Sequence, residues 1–188
     1  MSKDMEKVLR KINKLIIILS ILICSLYAVM YYVHHDYLMV TASIIAIGLP
    51  FLIYLVDAKV KKTSLPIKTF YLLFIYASAV IGGVGEFYSL FNPYDKIVHF
   101  ISGVLITWVF LVLVQPYVKK YTTNLILFTV ICFNSMIALL WEVGEFTFDL
   151  IFKTSVQRGL YDTMTDMIVA VVGGLIIALI YALKKHQL

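Results

Sequence analysis

The chain has 188 residues, of which 62% are hydrophobic and only 14% charged, with a mean hydropathy of +0.94. Soluble globular chains carry about a quarter charged and roughly 45–50% apolar residues, so this composition excludes a soluble domain. The formal charge of +5 would suit a nucleic-acid partner, but the placement of the cations along the chain excludes one.

The opening MSKDMEKVLRKINK followed by apolar sequence imitates a signal peptide. The run 15–33 is nevertheless long enough to span a bilayer, and Ile23 stands where a lipoprotein cleavage site wants a small residue, so a retained helix is expected. Five more apolar runs follow at 38–56, 70–91, 97–118, 123–150 and 160–183. Backbone groups in hydrocarbon must be satisfied internally, and no alternating ten-residue strand pattern repeats, so all six are read as helices. The expected fold is an all-α, polytopic six-helix bundle forming one integral-membrane domain over 1–188. Its breaks are HHDY at 34–37, a basic stretch at 57–69, NPYDK at 92–96, the KKYT turn after Val118 and KTSVQRGLY at 153–161. Cys24 and Cys132 lie far apart in apolar runs, without CxxC or metal spacing, and are read as small buried hydrophobes.

Thirteen of the sixteen Lys and Arg residues fall on one side if the N-terminus is placed inside. They are Lys3, Lys7, Arg10, Lys11, Lys14, Lys59, Lys61, Lys62, Lys68, Lys119, Lys120, Lys184 and Lys185, against Lys96, Lys153 and Arg158 on the other side. The positive-inside rule then makes both termini cytoplasmic, in a bacterial inner membrane. Tyr31, Tyr32, Tyr37, Tyr88, Tyr94 and Tyr161 form an outer aromatic belt, and Tyr117, Tyr121 and Tyr181 an inner one. The run 57–68 reads as topology signal and anionic-lipid contact.

The acids are biased the other way. Asp4, Glu6 and Asp57 are cytoplasmic, while Asp36, Glu86, Asp95, Glu142, Glu145, Asp149, Asp162 and Asp166 belong to the outer half. Ionisable residues within spans are costly and are functional sites by default. Asp95 and His99 are spaced i,i+4, Glu142, Glu145 and Asp149 run i, i+3, i+7, and Asp162 and Asp166 are again i,i+4. Three stripes at one depth predict one inward-facing site, with Glu86 added from the third helix after the small residues Gly82, Gly83 and Gly85. Seven carboxylates near Lys96, Arg158 and His99 call for protonation or a bound cation. Hard oxygen ligands suit Mg²⁺, Mn²⁺ or Ca²⁺, and the histidine admits iron or zinc. A purely structural polar network, with Lys96 and Arg158 as internal counter-ions, is the bland alternative. His34, His35 and His186 are read as solvated, Trp141 as packing, and no P-loop, GxGxxG, HExxH or GxSxG pattern is present.

The segments Tyr94-Asp95-Lys96-x-x-His99-Phe100-x-x-Gly103, Trp141-Glu142-x-x-Glu145 and Gln157-x-x-x-Tyr161-Asp162-Thr163-x-x-Asp166-Met167 resemble the YjdF-like family of bacterial inner-membrane proteins. More distantly they resemble the VanZ-like family. The likeness covers roughly 86–180; helices one and two match only in being apolar. It departs at Gly159, where the YjdF-like pattern has an acid, and at Arg158, which replaces a small residue, so a ligand from that loop would be missing here. The YjdF-like resemblance implies no established activity, and the VanZ-like one implies only a link to glycopeptide resistance and envelope stress.

These readings converge on a metal-binding site acting on membrane lipids or a lipid-linked envelope substrate, by hydrolysis or head-group transfer. Glu142, Glu145, Asp149, Asp162 and Asp166 are the expected metal ligands; His99, oriented by Asp95, is the expected general base or a further ligand. Lys96 and Arg158, at the mouth, are expected to hold an anionic head group together with Glu86. A cation- or proton-coupled transporter or channel is the alternative. It requires a polar path inward, for which the fourth helix offers only Thr107 and Gln115 unless two copies of the chain pair. A third alternative is a non-catalytic envelope-stress protein that sequesters a lipid or antibiotic.

Overall fold

The computed structural model describes residues 2–59, 63–114 and 122–185. The expectations placed on Lys61, Lys62, Gln115, Tyr117, Lys119, Lys120, Tyr121 and His186, and on the side chains of Lys59 and Lys185, lie outside the described residues. Among the described residues the α-helices are, in order, α1 (Lys3–Val33), α2 (Tyr37–Gly48), α3 (Leu52–Lys59), α4 (Leu65–Ile75), α5 (Phe87–Leu90), α6 (Pro93–Val114), α7 (Thr123–Phe152) and α8 (Leu160–Lys185). There is no strand among the described residues. Among the described residues, six helical stretches are long and apolar enough to cross a membrane: Lys3–Val33, Tyr37–Ala58, Leu65–Val84, Pro93–Val114, Thr123–Phe152 and Leu160–Lys184.

Local chemistry explains where the helix ends differ from the apolar runs. α1 begins at Lys3 rather than at residue 15, because the Ser2 hydroxyl accepts from the Met5 amide at 3.2 Å, and Asp4 and Glu6 occupy the positive end of the helix dipole. Its 31 residues extend about 46 Å, so the charged first turns project beyond a hydrocarbon core of about 30 Å. The second span is helix, a 3₁₀ turn at Leu49–Phe51 and helix again, since Pro50 has no amide to donate. The third span starts earlier than expected, at Leu65, and changes at Tyr76–Val84 to π-helical pairing, with the Gly85 amide on the Val80 carbonyl at 2.8 Å. It ends there: Glu86 adopts a left-handed φ of 57° and begins α5, so it is not the helix-three residue the sequence suggested. α6 starts at Pro93, whose fixed φ suits a first turn.

The chain divides into two compact units, Met1–Tyr94 and Asp95–Leu188. In the first, Cys24, Tyr31, Ala46, Val80 and Val84 form a buried cluster, closed by the Tyr31 hydroxyl donating to the Val84 carbonyl at 2.7 Å. Such side-chain donation to a span's end satisfies a carbonyl that the π-helical pairing leaves over. Cys24 is buried as expected, whereas Cys132 is exposed.

The second unit is organised by four-residue spacing. The buried residues of α7 are Ile126, Val130, Asn134, Ala138 and Glu142, a single i±4n ridge. On α6 the corresponding buried row contains His99, Gly103 and Thr107, and on α8 it contains Asp166, Ala170, Gly174 and Ala178. α6 and α8 meet backbone to backbone: a methyl group at Gly103 would overlap the Ala170 carbonyl, and one at Gly173 would overlap that of Phe100. Gly144 has nothing within 4 Å, so it plays no such part. Gly103→Ala and Gly173→Ala are each expected to lower stability by about 1–3 kcal/mol through overpacking. Gly144→Ala is expected to be neutral or slightly stabilising. Thermal unfolding of the three purified variants in detergent checks this, and equal effects at all three glycines would refute the close contact.

Candidate functional site

The acids of the second unit are placed by helix ends. Asp95 and Asp162 lie in the first turns of α6 and α8, where the helix dipole favours negative charge. One turn further along lie His99 and Asp166, both buried. The glycine contact draws these two N-terminal ends together, and the Lys96 ammonium fills the space between them. Lys96 Nζ donates to Asp162 Oδ1 at 2.5 Å and to Asp166 Oδ2 at 2.8 Å, and lies 2.7 Å from Asp166 Oδ1. It is also 4.0 Å from Asp95 Oδ2. This ammonium is therefore an internal counter-ion, not the head-group ligand at the mouth that the sequence suggested.

His99 Nε2 lies 3.6 Å from Asp95 Oδ1 and 3.9 Å from Glu142 Oε1, so it stands between acids of α6 and α7. Arg158 Nη1, from the loop before α8, is 3.9 Å from Asp95 Oδ2. Glu142 is only 3% exposed and Asp166 only 1%. Glu142 Oε1 is buried without a hydrogen-bond partner, while Asp166 Oδ1 is buried against the Lys96 ammonium. Asp95, His99 and Asp166 each offer one ligand atom, all within 4.8 Å of one another. Four carboxylates (Asp95, Glu142, Asp162 and Asp166) thus face two fixed cations, leaving two negative charges uncompensated when His99 is neutral.

The remaining expected ligands have other partners. Glu145 Oε1 accepts from the Trp141 indole at 2.7 Å, so the largely exposed Trp141 orients an acid instead of only packing. Asp149 organises the α7–α8 loop. Its Oδ1 accepts from the Thr154 hydroxyl at 2.6 Å and the Val156 amide at 2.8 Å, and its Oδ2 accepts from the Gln157 amide at 2.8 Å. Gln157 in turn donates to Thr163 Oγ1 at 2.9 Å, tying that loop to α8. Asp162 is bound by Lys96. Glu86 is exposed and belongs to the first unit, whereas the other named site residues belong to the second. The group with metal-ligand spacing therefore combines the two residues expected to be catalytic with one expected ligand. Gly159 has a φ of 103°, so an acid there would be strained; the loop geometry accounts for the departure from the resembled pattern.

One polar feature escaped the sequence reading. Asn134 donates to the Ala170 carbonyl at 3.0 Å, but its Oδ1 and Thr107 Oγ1 are buried without partners; Asn134 Nδ2 and Thr107 Oγ1 crowd Gly174. Each lies eight residues from a site residue, Glu142 and His99 respectively, which is about 12 Å along either helix. The four-residue ladder Glu142–Ala138–Asn134 was the available signal.

Six apolar spans and a carboxylate–histidine cluster in the second unit define a multi-pass helical membrane protein. The chain belongs to the family described as predicted membrane protein (DUF2238), whose model matches residues 14–187. An uncharacterized protein of Thermotoga maritima is 31% identical over 116 residues, covering 59% of each chain. The match thus spans about three-fifths of that relative's length. No solved structure matches.

Removing the ammonium while leaving its carboxylates should be costly. Lys96→Met is expected to destabilise the protein by about 3–5 kcal/mol, the usual penalty for stranding one side of a buried ion pair. Adding Asp162→Asn should recover part of that loss. Chemical denaturation of the two variants in detergent measures it; a Lys96→Met loss below about 1 kcal/mol would mean that water screens the pair.

Proposed function

We propose that the second unit binds one divalent cation at Asp95, His99 and Asp166, with Glu142 in reach, and acts there on a lipid or lipid-linked envelope substrate. The observation that carries this reading is the convergence of three ligand atoms within 4.8 Å, beside the buried Glu142 Oε1, which has no hydrogen-bond partner. The uncompensated charge of two matches a divalent ion, and an imidazole with carboxylates suits Mn²⁺, Zn²⁺ or Fe²⁺ better than an all-oxygen Ca²⁺ or Mg²⁺ site. Such an ion supplies charge neutralisation and polarises a phosphoryl or ester oxygen. His99 serves as a ligand held by Asp95. Glu142, buried beside it, is the base that takes a proton from water. Lys96 is the counter-ion of Asp162 and Asp166. Arg158 is the cation that meets an anionic head group. The distribution of Lys and Arg supports an orientation with both termini in the cytoplasm and this site on the outer side of a bacterial inner membrane. The YjdF-like and more distant VanZ-like motifs are in keeping with an envelope role, because the residues of those motifs are the ones that line the site.

The expected result is one tightly held divalent ion per wild-type chain after chelator stripping and reloading with Mn²⁺ or Zn²⁺. His99→Ala and Asp166→Asn should each weaken it by about 10-fold or more. Elemental analysis with calorimetry measures this, and a wild-type chain that loads no ion, or variants that load like wild type, would refute the metal reading.

A second reading, cation- or proton-coupled transport, is favoured by Thr107 and Asn134, which continue the polar row from the acid level toward mid-membrane. It predicts cation flux into proteoliposomes that is lost in Asn134→Leu. No flux in wild type eliminates it.

A further inference from the structure

The first unit contains a separate feature that the acid site does not use. At its basic end, α1, α3 and α4 enclose a cavity of about 440 Å³ lined by Arg10, Asn13, Lys14, Ile17, Tyr54 and Lys68, among others. Asn13 is only 4% exposed, and neither its Nδ2 nor its Oδ1 has a hydrogen-bond partner. An amide buried in that state, one helical turn from the apolar part of a span, lacks a ligand or water.

The cations around it are arranged for an anion. Arg10 is held by Glu6, with Nε at 3.1 Å and Nη2 at 2.6 Å from Oε1. Lys68 is paired with Asp57, whose Oδ1 also accepts from the Thr63 amide at 2.8 Å and hydroxyl at 2.6 Å. Lys68 Nζ additionally lies 5.5 Å from the centre of the Tyr54 ring. Lys14 has no acidic partner among the described residues, so the cavity carries an uncompensated positive charge beside an unpaired amide. The rest of the lining, Ile17 and Ile18 one turn further along α1 and Leu65 of α4, is apolar and belongs to the spans.

We infer that this cavity binds the phosphodiester head group of an anionic phospholipid, with Lys14 and the Asn13 amide on the phosphate oxygens and an acyl chain along Ile17, Ile18 and Leu65. Basic pockets between membrane helices select anionic lipids in this way: the charge chooses the head group and the apolar wall favours a lipid over free phosphate. Arg10 is largely exposed and can turn from Glu6 toward the phosphate. Lys68, fixed by Asp57, keeps a second positive charge at the rim.

The experiment is native mass spectrometry of the delipidated full chain, released from detergent after titration with phosphatidylglycerol, phosphatidylcholine or inorganic phosphate. The expected result is retention of phosphatidylglycerol about tenfold above phosphatidylcholine, as one added charge-assisted contact gives. Lys14→Ala and Asn13→Leu should each remove most of that preference, while Lys14→Arg keeps it. Circular dichroism establishes that the variants fold, and Lys14→Gln, which retains the side chain's length, replaces any that does not. Equal retention of the two lipids, or a Lys14 variant that retains phosphatidylglycerol like wild type, overturns the inference. Displacement of the lipid by inorganic phosphate at equal concentration overturns the assignment to a lipid.

Discussion

The backbone contact between α6 and α8 is the constraint on which the site depends. Gly103 faces the Ala170 carbonyl and Gly173 the Phe100 carbonyl, so the two helices come closer than any side chain would permit. Within lipid there is little hydrophobic drive to pack helices, and close contact of small residues takes its place. One consequence lies a turn or two away, where the N-terminal ends of α6 and α8 present Asp95, His99, Asp162 and Asp166 to one another. Helices held farther apart would leave those carboxylates to separate counter-ions.

The same closeness creates an electrostatic problem that Lys96 only partly solves. Its ammonium joins Asp162 and Asp166 within ordinary bonding distance, and both helix dipoles add positive potential at that end. Buried ion pairs gain less than their Coulomb attraction suggests, since both ions are desolvated. Asp95 and Glu142 remain around the imidazole of His99, with Arg158 Nη1 3.9 Å from Asp95 Oδ2. The His99 imidazole thus lies among carboxylates, with the buried and unpaired Glu142 Oε1 on one side.

Much of the architecture was legible from the chain itself. Long apolar runs fix six spans, because hydrocarbon leaves the backbone no other way to pair. The i,i+4 spacings correctly put Asp95 with His99 and Asp162 with Asp166. Periodicity on one helix, however, says nothing about which helix it faces or at what angle. The stripe Glu142–Glu145–Asp149 accordingly read as three ligands, yet only Glu142 lies on the buried ridge. Glu145 and Asp149 turn to Trp141 and to the loop amides. Glu86 was misplaced because residues 82–85 look like a close-packing surface in sequence, whereas here they loosen the helix into π pairing and end it. Lys96 looked like a head-group ligand since a cation near a boundary is ambiguous until its partners are known. Asn134 went unnoticed as a single polar residue in an apolar run, and Asn13 as one more polar residue in the charged N-terminal stretch; burial without a partner is a three-dimensional property.

Two levels of function separate accordingly: spans and family membership follow from composition and motif, while the chemistry rests on the geometry around His99. The most direct test is a crystal structure of the Mn²⁺-soaked protein with anomalous diffraction at the manganese edge. The account predicts a single anomalous peak bounded by Asp95, His99 and Asp166, at about 2.0–2.3 Å from the ligating atoms. A map without a peak there, with Lys96 and protonated carboxyl groups closing the space, would contradict it.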